Sequence, residues 1–332
     1  MNRQKLLTIA IPTFNLGREA AVLVDDIVGV LNSEFIDVLI IDDGSTDDTV
    51  DACSLMVEKY PDIVRLISKE NGHYGSAVNC AIQNASGVFF KTVDADDRVD
   101  RKGLSALLHQ LGAATDEDMF VTNYCVEYHG GRVVEHVPVF EKSPDGSIDL
   151  GSLRSLPMHA ITYRTDLLAD NCIKLDTGVP YTDVEFVLFP LPFVKKAAYL
   201  DCTVYRYQIG REGQSVDARQ LVASRRKHQL VLTALIRWYE SSEVELKRAG
   251  VIDFARIRIM EMFDKQVQIS LECDTPLDEV AGLRLLRTRI KSSSLIHGVS
   301  ACRPPIRVLM DMNFRFFGVA SSLYKFIRKA VG

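Results

Sequence analysis

Residues 88–97 read Val-Phe-Phe-Lys-Thr-Val-Asp-Ala-Asp-Asp. The largely apolar, β-branched and aromatic first part predicts a buried strand. Three carboxylates, Asp94, Asp96 and Asp97, then crowd into four positions where that strand should end. Aspartate is disfavoured in strands and clustered like charges repel, so folding alone does not ask for this arrangement. A hard divalent cation does: Mg²⁺ or Mn²⁺ takes oxygen ligands from one or two carboxylates and leaves room for substrate phosphates. The competing reading is an acidic turn that caps the next helix.

The residues before this stretch repeat its pattern. Residues 6–11 predict a buried strand closed by Pro12-Thr13-Phe14-Asn15, and residues 18–31 carry apolar side chains at helical spacing. Residues 36–41 predict a second strand that also ends in acid, Asp42-Asp43, before a helix over 46–60 capped by Ser45 or Thr46. A third strand, 63–68, leads into a loop, Asn71-Gly72-His73-Tyr74-Gly75-Ser76, and a helix running through Ala85. Alternating strands and helices predict an α/β fold whose parallel sheet is covered on both faces. Ligands bind such sheets beyond the carboxyl ends of the strands. Four polar segments are therefore expected on one rim.

The second half is more mixed. Residues 119–128 and 132–140 flank His129-Gly130-Gly131 as a β-hairpin, a polar loop covers 142–151, and short elements cover 159–164 and 165–171. Tyr181-Thr182-Asp183-Val184-Glu185-Phe186 opens an apolar segment with acids suited to a helix start, followed by a strand over 197–207 and a loop over 210–215. Three helical runs then cover 217–241, 251–273 and 276–293, so a domain boundary is expected near 215. Residues 303–332 hold six basic side chains and one acid, with Ile306, Leu309, Met310, Phe314, Phe317, Ala320, Tyr324 and Ile327 on one helical face. Such a helix can lie on an anionic membrane surface, or pack its apolar stripe on the domain and solvate its basic face.

Composition narrows the classes. With 332 residues, 47% hydrophobic and 25% charged, the chain can bury a full core. A net charge of -5 argues against a nucleic-acid partner. Seven cysteines without a C-x-x-C pair suggest reduced thiols and no thiolate zinc site. No signal-peptide core and no apolar run of about 18 residues is present, so a cytoplasmic protein is expected.

The segments LTIAIPTFN, VLIIDDGSTDDT, NGHYGSAVNCAI, FFKTVDADD, YTDVEF and YRYQIGREGQSV occur in that order over residues 6–216. Together they resemble the family 2 glycosyltransferases, which implies a GT-A fold: a Rossmann-like, mixed, mainly parallel sheet flanked by helices. The resemblance implies a nucleotide-sugar-binding and catalytic domain over 1–215, with a helical region over 216–332 that is membrane-associating or acceptor-related. It implies an inverting, metal-dependent enzyme that moves one sugar from a UDP-sugar to an acceptor hydroxyl in surface polysaccharide or glycolipid assembly, on the inner face of the membrane. Asp43 matches the acid that receives the uracil N3–H, with Pro12, Thr13 and Phe14 near the base. Asn71 and Gly75 belong to a loop that approaches the ligand closely, and Asp94 matches the residue near the ribose. Asp96 and Asp97 match the site of Mn²⁺ or Mg²⁺. Asp183 matches the catalytic base, although Thr182 stands where many members carry Glu, and Glu185 is its rival. His73 and Tyr74 receive no role. A glycan or lipid-linked acceptor completes the expected partners.

Two other functions stay open on the residues. A strand ending in D-x-D also suits an aspartyl-phosphate phosphohydrolase, although that motif belongs after the first strand. A non-catalytic nucleotide-sugar-binding module differs from the enzyme only at Asp183. A dinucleotide dehydrogenase lacks its G-x-G-x-x-G. Arg237-Trp238 resembles part of the Q-x-x-R-W of processive enzymes but lacks the Gln, and Trp238 reads as core or interface.

Overall fold

The computed structural model describes residues 4–210 and 218–331. The chain divides between Arg211 and Glu212 into two compact units. Most of the expected loop over 210–215, the expected boundary and the end of the sixth motif lie in 211–217, outside the described residues.

In the first unit β1 (Leu7–Thr13), α1 (Gly17–Val28), β2 (Ile36–Asp42), α2 (Thr49–Lys59), β3 (Val64–Ser68), α3 (His73–Asn84) and β4 (Phe89–Thr92) alternate as expected. Beyond them come β5 (Arg98–Val99), α4 (Arg101–Ala113), β6 (Met119–Tyr128), β7 (Val133–His136), β8 (Glu141–Lys142) and β9 (Ile148–Asp149). The unit closes with β10 (Ile161–Arg164), α5 (Thr165–Asp170), α6 (Asp183–Leu188) and β11 (Ala197–Ile209). One sheet runs β3-β2-β1-β4-β10-β6-β11-β5, with β7 beside β6. β1 pairs in parallel with β2 on one side and β4 on the other, so the chain reverses direction across the sheet at β1. A crevice opens beyond the carboxyl ends of strands at such a switch point. β10 enters antiparallel between β4 and β6, which makes the sheet mixed.

Burial explains the strands. Every residue of β2 and β4 is buried. β4 even takes in Lys91, whose Nζ donates to the carbonyls of His159 (2.7 Å) and Ile161 (3.1 Å) and so ties β4 to the chain entering β10. Burial pushes this ammonium down to about 7.

Several local expectations are corrected. α2 begins at Thr49, and neither Ser45 nor Thr46 caps it. The Ser45 hydroxyl accepts from the Asn15 amide (2.9 Å), and the Thr46 amide donates to Asn15 Oδ1 (2.8 Å), so this turn is tied to the end of β1. Residues 142–151 form the small β8–β9 pair, not a bare loop. α3 begins at His73, so the expected ligand loop is largely a first helical turn. Gly75 is buried there, and a Cβ on it would sit 2.2 Å from the Asp176 carbonyl oxygen and 3.0 Å from Thr182 Oγ1. The glycine is needed for close packing of the 175–182 segment, and its expected ligand-binding role is withdrawn.

The second unit is helical: α7 (Ala218–Ala223), α8 (Arg225–Ser241), α9 (Glu243–Arg248), α10 (Ile252–Glu272), α11 (Val280–Ser292), α12 (Pro304–Asp311) and α13 (Phe317–Val331). α10 is the axis, packing against α8 and α13 and burying Phe254, Ile259, Phe263 and Val267. The segment over 303–332 is two helices, not one. Asn313 and Phe314 both take left-handed backbone angles (φ 53 and 56) and end α12, with the Phe314 ring buried edge-on to Phe317 at 5.8 Å. No described helix is long and apolar enough to cross a membrane.

Two predictions follow from this packing. The unfolded chain holds the Lys91 proton up to its ordinary value of 10.5, the folded chain only to about 7. Stability rises with pH wherever the unfolded state binds more protons. The Lys91 contribution is therefore complete above the unfolded value and lost as pH falls through 7. In urea unfolding at pH 7, 8 and 9, the native protein should gain stability relative to Lys91→Met as pH rises; parallel curves would contradict a buried neutral amine. Gly75→Ala should unfold with a loss of roughly 1–3 kcal/mol, the usual cost of overpacking, while the folded fraction still binds nucleotide. An equally stable variant with weakened nucleotide binding would return Gly75 to the ligand site.

Candidate active site

A cleft of about 480 Å³ lies beyond the ends of β1, β2 and β4, lined by Pro12, Thr13, Phe14, Asp43, Asn71, His73, Tyr74, Asp94 and Asp96 among others. The sheet's switch point thus brings together four segments that are distant in sequence. Phe14 stands at its mouth, 46% exposed, offering a ring face. Thr13 contributes backbone: its hydroxyl donates to the Ile11 carbonyl (3.0 Å), and its own carbonyl receives the Asp43 amide (2.8 Å). Asp43 is buried, held by Lys69 Nζ (2.6 Å) and by the Gly72 amide (3.0 Å to Oδ1, 3.2 Å to Oδ2). Among the described residues the Gly72 amide is the single hydrogen bond to Oδ2, which leaves that oxygen able to accept another. Gly44, with φ 75, makes the turn possible, since a Cβ there would meet the Asn71 amide nitrogen at 2.8 Å. Neither Asp43 nor the acids after β4 cap a helix. Asp48 precedes α2, and Asp100 caps α4 by accepting from the Gly103 amide (2.9 Å).

The three acids after β4 face different ways. Asp97 is buried, Oδ2 accepting from the Tyr205 hydroxyl (2.5 Å) and Oδ1 from the Gln208 amide (2.8 Å). Its carboxylate is thus engaged in holding the turn to β11, and of the two acids matched to the metal site Asp96 is the one that lines the cleft. Asp96 lines the cleft and also an adjoining cavity of about 450 Å³ that contains Arg18, Arg98 and Arg206. Asp94 stands in the cleft wall with Oδ1 buried and no hydrogen-bond partner among the described residues. Burial first, then the charges of Asp97, Asp96 and Asp183, push its carboxyl well above the usual range. A cation would suit this wall. One or two carboxylates without a closed cage match a Mg²⁺ or Mn²⁺ ion that completes its shell with phosphate and water. Among the described residues no cluster of three metal-binding side chains forms such a cage.

Asp183 is the first residue of α6, where Thr182, not Asp183, holds the capping position. It is not among the residues lining the cleft, but its charge is one of those that raise Asp94 and Tyr74. Glu185 is turned away: fully buried, its Oε2 accepts from the Asp176 amide (2.7 Å) while Oε1 has no partner, and burial pushes it up to about 8. Segment 175–185 is docked on α3. The Asn79 side chain bonds both the carbonyl and the amide of Leu175 (2.8 Å each), and the Gly178 amide donates to the Gly72 carbonyl (2.8 Å).

Sequence reasoning missed three contributors. Tyr74, left without a role, has its hydroxyl 3.1 Å from Thr92 Oγ1 and against Asp94. Lys69 holds Asp43, and its position just after β3 on the same rim was the available signal. Tyr205, inside the sixth motif, anchors Asp97.

Residues 8–164 match the family profile described as Glycosyl transferase family 2. The chain is 24% identical over 221 residues to the uncharacterized glycosyltransferase YibD of Escherichia coli K12, a match that spans 63% of this chain and 63% of that protein. In structure it resembles S. aureus TarS 1–349, crystallised in complex with UDP-GlcNAc, with a TM-score of 0.69, 19% identity, and coverage of 98% of this chain and 92% of that one. It also resembles the mannosyltransferase PcManGT of Pyrobaculum calidifontis, in complex with GDP-Man and Mn²⁺, with a TM-score of 0.52, 15% identity, and coverage of 97% and 87%. Residues 8–164, a little under half of the chain, thus match the glycosyl transferase family 2 profile, and the first unit has the GT-A fold.

Proposed function

We propose that this protein is an inverting, metal-dependent transferase that moves one sugar from a UDP-sugar to an acceptor hydroxyl. The reading rests on one observation: Phe14, Asp43, Asp94 and Asp96 line a single cleft, and the charge of Asp183 reaches it. The likeness to TarS, which binds UDP-GlcNAc, supports a uridine donor. Asp43 Oδ2 receives the uracil imide N–H as a charge-assisted hydrogen bond, Phe14 and Pro12 flank the base, and Asn71 borders the same pocket. Asp94, steadied by Tyr74, faces the ribose. Asp96 holds Mn²⁺ or Mg²⁺, which when bound supplies Lewis-acid neutralisation of the diphosphate; PcManGT with its Mn²⁺ supports this choice.

Asp183 takes the proton of the acceptor hydroxyl. The hydroxyl oxygen then bonds to the anomeric carbon from the face opposite the diphosphate, and the electron pair of the breaking C–O bond leaves on UDP. Glu185, buried and raised to about 8, is mostly protonated at neutral pH and a poor base there. The acceptor is a glycan or lipid-linked saccharide of surface polysaccharide or glycolipid assembly. The protein works in the cytoplasm, with its basic segment 303–332 meeting the membrane that presents this acceptor.

Calorimetry with UDP, GDP and Mn²⁺ tests the donor side. UDP should bind more tightly than GDP, Asp43→Ala should weaken it by about 1.5–3 kcal/mol, and Asp96→Ala should abolish the Mn²⁺ enhancement. GDP binding as tightly as UDP would sink the uracil pocket. Turnover tests the base, with UDP release followed across a panel of nucleotide sugars. Asp183→Asn should leave UDP binding intact and lower transfer by about 10²–10⁴-fold. Glu185→Gln, which mimics the protonated acid, should transfer at a near-native rate. The reverse pattern would move the base to Glu185, and no turnover in the native protein with any donor would leave a binding module.

A further inference from the structure

We propose that the outer surface of α12 and α13 docks on an anionic lipid bilayer through a face other than the one the periodicity picks out, with the groove between these helices receiving an acyl chain. The expected stripe is largely spent on packing: Ile306, Leu309, Met310, Phe314 and Phe317 are buried. A second apolar set, Met312, Phe316, Val319, Leu323 and Phe326, is exposed together with Ile327 from the end of the stripe, with Val319 and Phe326 at 70% and 71%. Positions 316, 319, 323 and 326 recur at helical spacing, so they form one side of α13 and the turn before it. A soluble surface rarely carries so contiguous a patch without an occupant.

The groove gives the patch depth. It measures about 420 Å³ and is lined by Leu271, Ile306, Leu309, Leu323 and Ile327, with Arg303 at its rim. Leu323 and Ile327 belong to both groove and exposed set, so the two are continuous.

Charge selects the occupant. Residues 312–332 contain no acid, and 303–332 carry a surplus of five positive charges in a chain whose net charge is -5. Arg303 and Arg328 are engaged by Asp264 and Glu272. Arg307 and Arg315 have no carboxylate within 4.0 Å among the described residues. A surface that pairs aromatic and aliphatic side chains with six cations and a single acid, Asp311, complements anionic headgroups over acyl chains. The proposal deepens the membrane contact of segment 303–332 given in the proposed function and rests on that part of it alone, and it needs no nucleotide to be tested.

The full chain is sedimented without nucleotide, with vesicles of phosphatidylcholine alone or with about a third phosphatidylglycerol. The native protein should pellet with the anionic vesicles and far less with the neutral ones. Phe316→Ser with Phe326→Ser should lower vesicle affinity by about tenfold for each ring removed. Arg307→Gln with Arg315→Gln should lower it by about fivefold for each charge and flatten its salt dependence. All four side chains lie outside the donor cleft, so unchanged UDP affinity and unfolding midpoint show that the variants fold. Native protein left in the supernatant, or serine variants that sediment equally, overturns the proposal. So does a lipid-free dimer that the serine changes convert to monomer without any vesicle binding, which would make the face a contact between copies. Vesicle binding that survives in an Asp96→Ala protein that has lost the Mn²⁺ enhancement of UDP binding would separate this surface from the donor reading.

Discussion

The inward turn of Asp97 onto the Tyr205 hydroxyl and the Gln208 amide is the interaction on which the cleft depends. Three carboxylates within four residues repel one another. Left alone, the turn would open toward water. Two hydrogen bonds from β11 anchor one acid, and the backbone between then holds Asp94 and Asp96 to the rim. The remaining repulsion is what burial and neighbouring charge express at Asp94. A cation or a proton relieves it, so the wall is prepared for a positive guest.

Beneath that wall the strand is dry. Phe89 packs edge-on against Phe120 at 5.4 Å, Phe90 against Phe186 at 6.1 Å, and the Tyr205 ring lies 4.5 Å from His159. Lys91 sits in the same layer, its Nζ satisfied by two carbonyls. The polar rim therefore rests on packed side chains in fixed rotamers, which gives a site its precision. Lys69 does for Asp43 what Tyr205 does for Asp97: each carboxylate is oriented by a neighbour before any ligand arrives.

Much of this was legible in the sequence, for a physical reason. Buried parallel strands read as continuous apolar runs, and acids at their ends stand out against them, so β1 to β4 and the acidic ends Asp42-Asp43 and Asp94 to Asp97 could be located from pattern, while the family resemblance singled out Asp43, Asp94 and Asp96. The direction in which an acid points is not in the pattern. Asp97 is adjacent to Asp96 and chemically identical, and only the distant Tyr205 and Gln208 decide that it faces inward. Gly75 looked like a ligand-loop glycine because close approach to a ligand and close approach to Asp176 require the same missing Cβ. The break at Asn313 and Phe314 carries no Gly or Pro to announce it, so two helices read as one and their apolar residues as a single face. Thr182-Asp183 named the segment of the candidate base without revealing that Glu185 is turned inside.

The docking of segment 175–185 on α3 has a consequence for how the cleft and the start of α6 are coupled. α3 contributes His73 and Tyr74 to the donor cleft from its first turn. Two turns along, Asn79 grips Leu175 by both its amide and its carbonyl, as a neighbouring strand would. One helix therefore sets the distance between the donor wall and the carboxylate at the start of α6. Loops elsewhere on the unit can vary in length or composition without altering that distance. A small rotation of α3 cannot, because it moves the His73 and Tyr74 side of the cleft and the support of Asp183 together. The distance between the cleft wall and the start of α6 is therefore fixed by one helix and not by the loops around it.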